Sequence, residues 1–169
     1  GDSYIRDSSL TVNEGQFLES KARYGGCIVM FNSAVTVNNS EFSDGSSIET
    51  GGFVYALNSS VTVRNASMTT GTSEAGGAVW MHSSALEAHN LRISNCQSSL
   101  DGGGILANET STLLCSDCVL ENNVAGRRGG AISVESNETQ LLAVQLTGST
   151  IRNNSAEYGG EHLLLSCCH

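Results

Sequence analysis

Glu49, Glu74 and Asp101 each stand one or two residues ahead of a Gly-Gly pair, and Arg127 with Arg128 stands just ahead of the next pair. Carboxylates and guanidinium groups returned at a regular interval are what polysaccharide-cleaving sites use. Such a site needs an Asp cluster holding Ca²⁺ beside a basic Arg, or two carboxyls a set distance apart for glycoside hydrolysis. Thiol chemistry is offered by Cys115-x-x-Cys118, with Cys96 upstream and Cys167-Cys168 downstream, while Cys27 stands apart. His162 and His169 would be the partners of a zinc site, but that requires four converging ligands. In an oxidising compartment an even number of cysteines favours disulfides. Cys96 with Cys118 is the expected bridge, with Cys167 and Cys168 as further candidates, and no metal or cofactor is expected.

The elements that carry these residues follow from a repeat. Paired glycines recur at 25–26, 51–52, 76–77, 102–103, 129–130 and 159–160, in steps of 26, 25, 26, 27 and 30 residues. Counting from the first Gly, positions four and six are apolar (Ile28 and Met30, Val54 and Ala56, Val79 and Met81, Ile105 and Ala107, Ile132 and Val134). A spacing of two is the strand period. A second such pair follows (Leu10 and Val12, Val35 and Val37, Val61 and Val63, Leu86 and Ala88), then one apolar residue: Phe17, Phe42, Met68, Ile93, Leu120 or Ile151. No stretch has a helical period. A repeat of three short strands in about 26 residues predicts an all-β chain, a right-handed parallel β-helix of about six to seven coils, folded as one domain over residues 1–169. The tight corners that hold the acidic residues leave no room for a cleft, so no catalytic residue is assigned.

The pairing of Gly129-Gly130-Ala131-Ile132 with Leu120-Glu121-Asn122-Asn123, and the related Ile151-Arg152-Asn153-Asn154-Ser155-Ala156, resembles the repeat of the chlamydial polymorphic outer membrane proteins. Phe42-Ser43-Asp44-Gly45 keeps the Phe of that motif and lacks its Asn. The resemblance implies a pectin-lyase-like β-helix that serves as an adhesin passenger exported by autotransport.

Composition narrows the setting. With 19 Gly, no Pro and 15% charged residues, the chain reads as strands joined by tight turns. A net charge of −9 with eight Lys plus Arg argues against nucleic-acid binding, which needs a basic footprint. No run reaches the roughly 18 apolar residues of a membrane span. The chain starts at a Gly in mid-repeat and stops within another coil, which predicts a fragment of a longer chain.

Three surface features carry the functional expectation. Position five points outward and holds Tyr4, Val29, Tyr55, Trp80 and Leu106, flanked by Phe31, Phe53 and Leu57. An outward apolar stripe of this length marks a surface for a protein partner or for self-assembly. Asn39, Asn65 and Asn90 share the end of the second strand and predict a corner ladder, since Asn tolerates the left-handed conformation. Six glycosylation sequons occur, of which Asn58, Asn108 and Asn137 are the best glycan candidates. Asn38 and Asn153 come next, and Asn65 is disfavoured by its place in the ladder. The combined expectation is an extracellular or cell-surface rigid spacer and adhesive module, a filament subunit or an adhesin passenger. A β-helical polysaccharide lyase or glycoside hydrolase is the alternative.

Overall fold

The paired glycines set the path of the chain. The first of each pair has a positive φ, from 47° at Gly25 to 67° at Gly51 and Gly76. A Cβ there would overlap the carbonyl oxygen three residues on, and a Cβ on Gly52 or Gly77 would overlap the carbonyl of the matching glycine one coil away. Only glycine fits this corner. In the structure, a computed structural model that describes residues 2–136, 143–159 and the backbone of 164–167, each pair feeds a strand of one parallel sheet.

That first sheet stacks seven strands in order: Ser3–Arg6, Ile28–Phe31, Val54–Leu57, Val79–His82, Ile105–Asn108, Ile132–Ser136 and Leu164–Cys167. The second stacks Ser9–Asn13, Ala34–Asn38, Ser60–Thr69, Ala85–Ser94, Thr112–Ser116 and Ala143–Thr147. The short strands Gln16–Leu18, Glu41–Ser43, Val119–Glu121 and Thr150–Arg152 extend this same sheet around a bend. The third sheet holds Lys21–Tyr24, Ser46–Thr50, Thr72–Ser73, Gln97–Ser98 and Val124–Ala125. Five turns therefore carry strands of all three sheets.

Every ladder is parallel and joins residues about one repeat apart, so equivalent side chains lie directly over one another. Met30, Ala56, Met81 and Ala107 are stacked neighbours, and large alternating with small fills the interior evenly. Phe17 and Phe42 stack face to face, 4.5 Å between centroids, and Phe53 meets Phe42 edge-on at 5.9 Å. These rings, with Met68, Ile93 and Leu120, form the core beneath the third strand of the repeat.

Two expectations need amending. The third strand of the repeat is not separate from the second: in two coils they run on as one ten-residue strand. The third sheet is instead built from the polar segment after it, which has no alternating apolar pair and gives no strand signal. Phe53 is fully buried, so it belongs to the core and not to the outer stripe. Its place immediately after Gly52 turns it inward, as it does Cys27 and Ala78.

The other three corners are also left-handed, through Asp7, Asn32, Asn58 and Ser83 at the first, Asn39, Asn65, Asn90 and Asp117 at the second, and Asp44, Thr70, Asn95 and Asn122 at the third. Polar side chains satisfy the amides at these bends coil by coil. At the first corner the N–H groups of Ser8, Ser33, Ser59 and Ser84 donate to the Oγ of Ser33, Ser59, Ser84 and Ser111. At the second the predicted asparagine ladder forms: Asn90 Nδ2 donates to Asn65 Oδ1 and Asn65 Nδ2 to Asn39 Oδ1, at 3.1 and 3.2 Å. At the third, Cys96 N–H donates to Asn123 Oδ1 and Asn123 N–H to Asn154 Oδ1.

Core and corner should therefore outrank the surface in stability. Phe42→Ala is expected to cost about 3–5 kcal/mol as a large core truncation. Ser59→Ala should cost about 1–3 kcal/mol, because it leaves the buried Ser33 amide unpaired. Thr36→Ala, on the outer face, should stay within about 0.5 kcal/mol. Urea titrations followed by Trp80 fluorescence test this order, and equal losses at Ser59 and Thr36 would contradict the ladder's role.

Candidate functional surface

On the first sheet the outward row runs Tyr4, Val29, Tyr55, Trp80, Leu106 and Ser133, in register. The outward row beside it runs Arg6, Phe31, Leu57, His82, Asn108 and Glu135. Over the first four coils these rows form a connected aromatic sheet. Tyr4 meets Phe31 at 5.7 Å, Phe31 meets Tyr55 at 5.6 Å, and Tyr24 reaches Tyr55 across the glycine corner at 5.3 Å. Tyr55 stacks on Trp80 at 4.6 Å with planes 10° apart, and Trp80 lies parallel to His82 at 5.8 Å. In-register stacking 26 or 25 residues apart makes this geometry unavoidable once the rings occupy one row.

Two cations rim the aromatic sheet: Arg6 lies over Phe31 and Arg23 over Tyr24, 5.8 and 5.4 Å from the ring centroids. Arg23 also pairs with Glu49 at 2.5 Å. A hydrogen bond between Tyr24 and Glu49 raises the Tyr24 phenol and, with Arg23 adding to it, lowers the Glu49 carboxyl. Burial against its neighbours raises the phenol of Tyr55. Tyr4 is 66% exposed, and Val29, Phe31, Tyr55, Leu57 and Trp80 are half-buried. Leu106 is only 4% exposed and does not extend the free stripe. Tyr24 and His82 join it instead. His82 was legible as the next member of the Phe31 and Leu57 row, whereas Tyr24 belongs to another sheet and only the bend at Gly25 brings it close.

The acidic residues do not form one row. Asp101 stands in the register of Ala75, one place past Glu74, so its side chain takes a different direction. It is 2% exposed, and both carboxylate oxygens accept from Arg127, Nε at 3.0 Å. Arg128 pairs with Glu135 at 3.5 Å. Burial, then the neighbouring Asp101 charge, pushes the Glu135 carboxyl up. A second charged cluster was not foreseen: the buried Glu121 carboxylate bridges Arg92 and Arg152. Its signal was the register that sets Arg152 directly over Glu121.

Cys27, Cys96, Cys115 and Cys118 are buried, free thiols in this structure, and the expected Cys96–Cys118 bridge is not formed. The two lie at different corners: Cys96 Sγ is 3.4 Å from the Ser94 carbonyl, while Cys118 Sγ is 3.5 Å from that of Ser116. Burial pushes the Cys27 thiol up to about 11 and that of Cys96 to about 12. The Cys167 side chain, Cys168, His162, His169 and Asn137 lie outside the described residues. Among the described residues no three His, Cys, Asp or Glu converge on a metal position. Nor, among the described residues, is any helix long and apolar enough to cross a membrane.

The sequon asparagines differ in presentation. Asn58 and Asn153 are exposed at left-handed corners. Asn38 is half-buried and donates to Asn13. Asn108 is half-buried, with its Oδ1 turned away from solvent. An open groove of about 810 Å³ runs along the first corner, lined by the serine ladder with Asn32 and Asn58.

Residues 2–168 match the family model of the right-handed beta helix region. Over 60 residues the chain is 43% identical to the probable autotransporter YfaL of Escherichia coli (strain K12), a stretch that is 35% of this chain and 5% of that protein. No solved structure matches the chain.

The Glu121 cluster makes stability acid-sensitive. Its carboxyl is held below the ordinary carboxylate value, chiefly by the hydrogen bond from Arg152 and then by the charges of Arg152 and Arg92. Its contribution is thus present above the unfolded value of about 4.3 and is lost as pH falls through the lowered folded value. Wild type should unfold at higher urea than Glu121→Gln at pH 7, and the gap should close on acidification below about pH 4. A gap independent of pH would show that the carboxylate charge is not what matters.

Proposed function

Because the chain belongs to the right-handed β-helix family, we propose that it is a cell-surface rod of the passenger type, a rigid spacer that makes adhesive contact with a protein partner through its aromatic face. The carrying observation is the ring network from Tyr4 through Phe31, Tyr55 and Trp80 to His82, open to solvent and rimmed by Arg6 and Arg23. Tyr, Trp and Arg dominate binding hot spots, since they bring large contact area at low entropic cost together with a polar handle. The similarity to a probable autotransporter supports a surface setting, and the chlamydial-type motif around Leu120 to Ile132 points the same way. Parallel ladders at about 4.8 Å per coil give a stiff spacer about 30 Å long, which suits either an adhesin passenger or a filament subunit. N-linked glycans at Asn58 and Asn153 would fit this surface if the chain passes through a eukaryotic secretory pathway.

One observation favours a second reading, a polysaccharide lyase or glycoside hydrolase: the Asp101 and Glu135 carboxyls sit together beside Arg127 and Arg128. Against it, Asp101 is buried and both its oxygens are engaged by Arg127, so that half of the carboxyl pair is not free to meet a sugar ring.

Beads coated with the protein, applied to an epithelial cell layer before and after surface proteolysis, test the first reading. Adhesion should fall about tenfold in the Tyr55→Ser, Trp80→Ser double variant, in line with two hot-spot truncations, and should vanish after proteolysis. Adhesion unchanged by both, or reducing ends released from polygalacturonate in an Asp101-dependent manner, would overturn it.

A further inference from the structure

Cys115 and Cys118 differ from the other described cysteines by having each other. Cys115 faces the core between Ala88 and Leu146 of the adjacent coils. The chain then bends through Asp117, whose φ is 55°, and the bend turns Cys118 inward as well. Both are nearly fully buried, at 3% and 1% exposure, and each thiol shifts the proton affinity of the other. Cys118 Sγ lies 3.8 Å from the carbonyl of Ala88, the residue on which Cys115 stacks. In the other coils the same two places, on either side of the left-handed residue, are held by Val37 with Ser40, Val63 with Ala66, or Ala88 with Leu91. The coil above covers them thinly: Leu146 and Ser149 are only half-buried, and Ser149 Oγ accepts from the Cys118 amide at 3.0 Å.

We propose that Cys115 and Cys118 form a redox site, closing a disulfide across the second corner when the protein meets a low-molecular-weight disulfide, while Cys27 and Cys96 remain thiols. Cys118 gives up its proton and its thiolate attacks one sulfur of R–S–S–R. A Cys118–S–S–R mixed disulfide forms and RS⁻ leaves, to be protonated. Cys115 then loses its proton and attacks Cys118 Sγ, which breaks the bond to R and releases a second RS⁻, protonated in turn. Two cysteine thiols are oxidised by two electrons, and one small disulfide is reduced to two thiols. Cys118 is the attacking member, because it lies beneath the half-buried Ser149 and the Cys115 thiol holds the Cys118 thiol below the ordinary value in spite of burial. Among the described residues Cys96 and Cys27 have no neighbouring thiol to complete the second step, and burial pushes both thiols up. The aromatic face plays no part, so this inference stands or falls separately from the adhesive reading.

The test uses the full folded chain in a series of oxidised and reduced glutathione mixtures. Samples are quenched in acid, alkylated in denaturant before or after reduction, and mapped by peptide mass spectrometry. Toward the oxidised end, Cys115 and Cys118 should lose alkylation together and regain it after reduction, while Cys27 and Cys96 alkylate throughout. Cys115→Ser, checked for folding by circular dichroism, should instead retain glutathione on Cys118. Alkylation of Cys115 and Cys118 without reduction across the whole series would overturn the proposal. So would a bridge from either to another cysteine, or glutathione retained on Cys96 in place of Cys118.

Discussion

The structure depends on one constraint: each coil's amides must find the carbonyls of the next coil at the same place in the repeat. A parallel ladder pairs donors and acceptors between neighbours, so an extra residue left inside a strand would invert the side chains that follow it in that strand. The repeat length of 25 to 27 residues over most of the chain is the mark of that requirement. Extra residues are absorbed locally, at a bend by Glu109 and Thr110 in the fifth coil, and by a register shift where Lys21–Tyr24 pairs with Ser46–Thr50.

From this constraint the ladders of like residues follow. A side chain that satisfies an amide at one corner finds the same amide one coil on, so a serine that works once works again. The serine column at the first corner and the Asn39, Asn65, Asn90 column at the second are one solution applied repeatedly. Left-handed backbone at every corner strains ordinary residues, and the ladder bonds and stacked core offset that strain. The same logic builds the outer surface. Rings placed in one row must stack at roughly the coil spacing, and this is how Tyr55 comes to lie flat on Trp80.

Charge and sulfur are organised differently, because they depend on single residues and not on columns. Glu121 is buried as an ion because guanidinium groups reach it from the coils on both sides, Arg92 and Arg152. Asp101 is buried with Arg127, and the charge it keeps there raises the neighbouring Glu135. Cys115 and Cys118 face one another because a left-handed residue between them turns both inward. In each case an isolated residue gains its chemical character from one neighbour that the coil geometry supplies.

The fold was legible in the sequence because its determinants are local and repeated. Glycine pairs, alternating apolar residues and corner asparagines each report a backbone need that recurs every coil, so the right-handed β-helix, its register and the outward row of Tyr4, Tyr55 and Trp80 could all be read from spacing. Which side of a tight bend a residue faces was not legible, since one place in the chain reverses it. That reversal buries Phe53, while one place of register separates Asp101 from Glu74 and a whole corner separates Cys96 from Cys118. Contacts across a corner, such as Tyr24 on Tyr55, and the shielding of Leu106 were decided only in three dimensions. They depend on how sharply the chain turns and on what packs alongside, and no periodicity in the sequence carries that information.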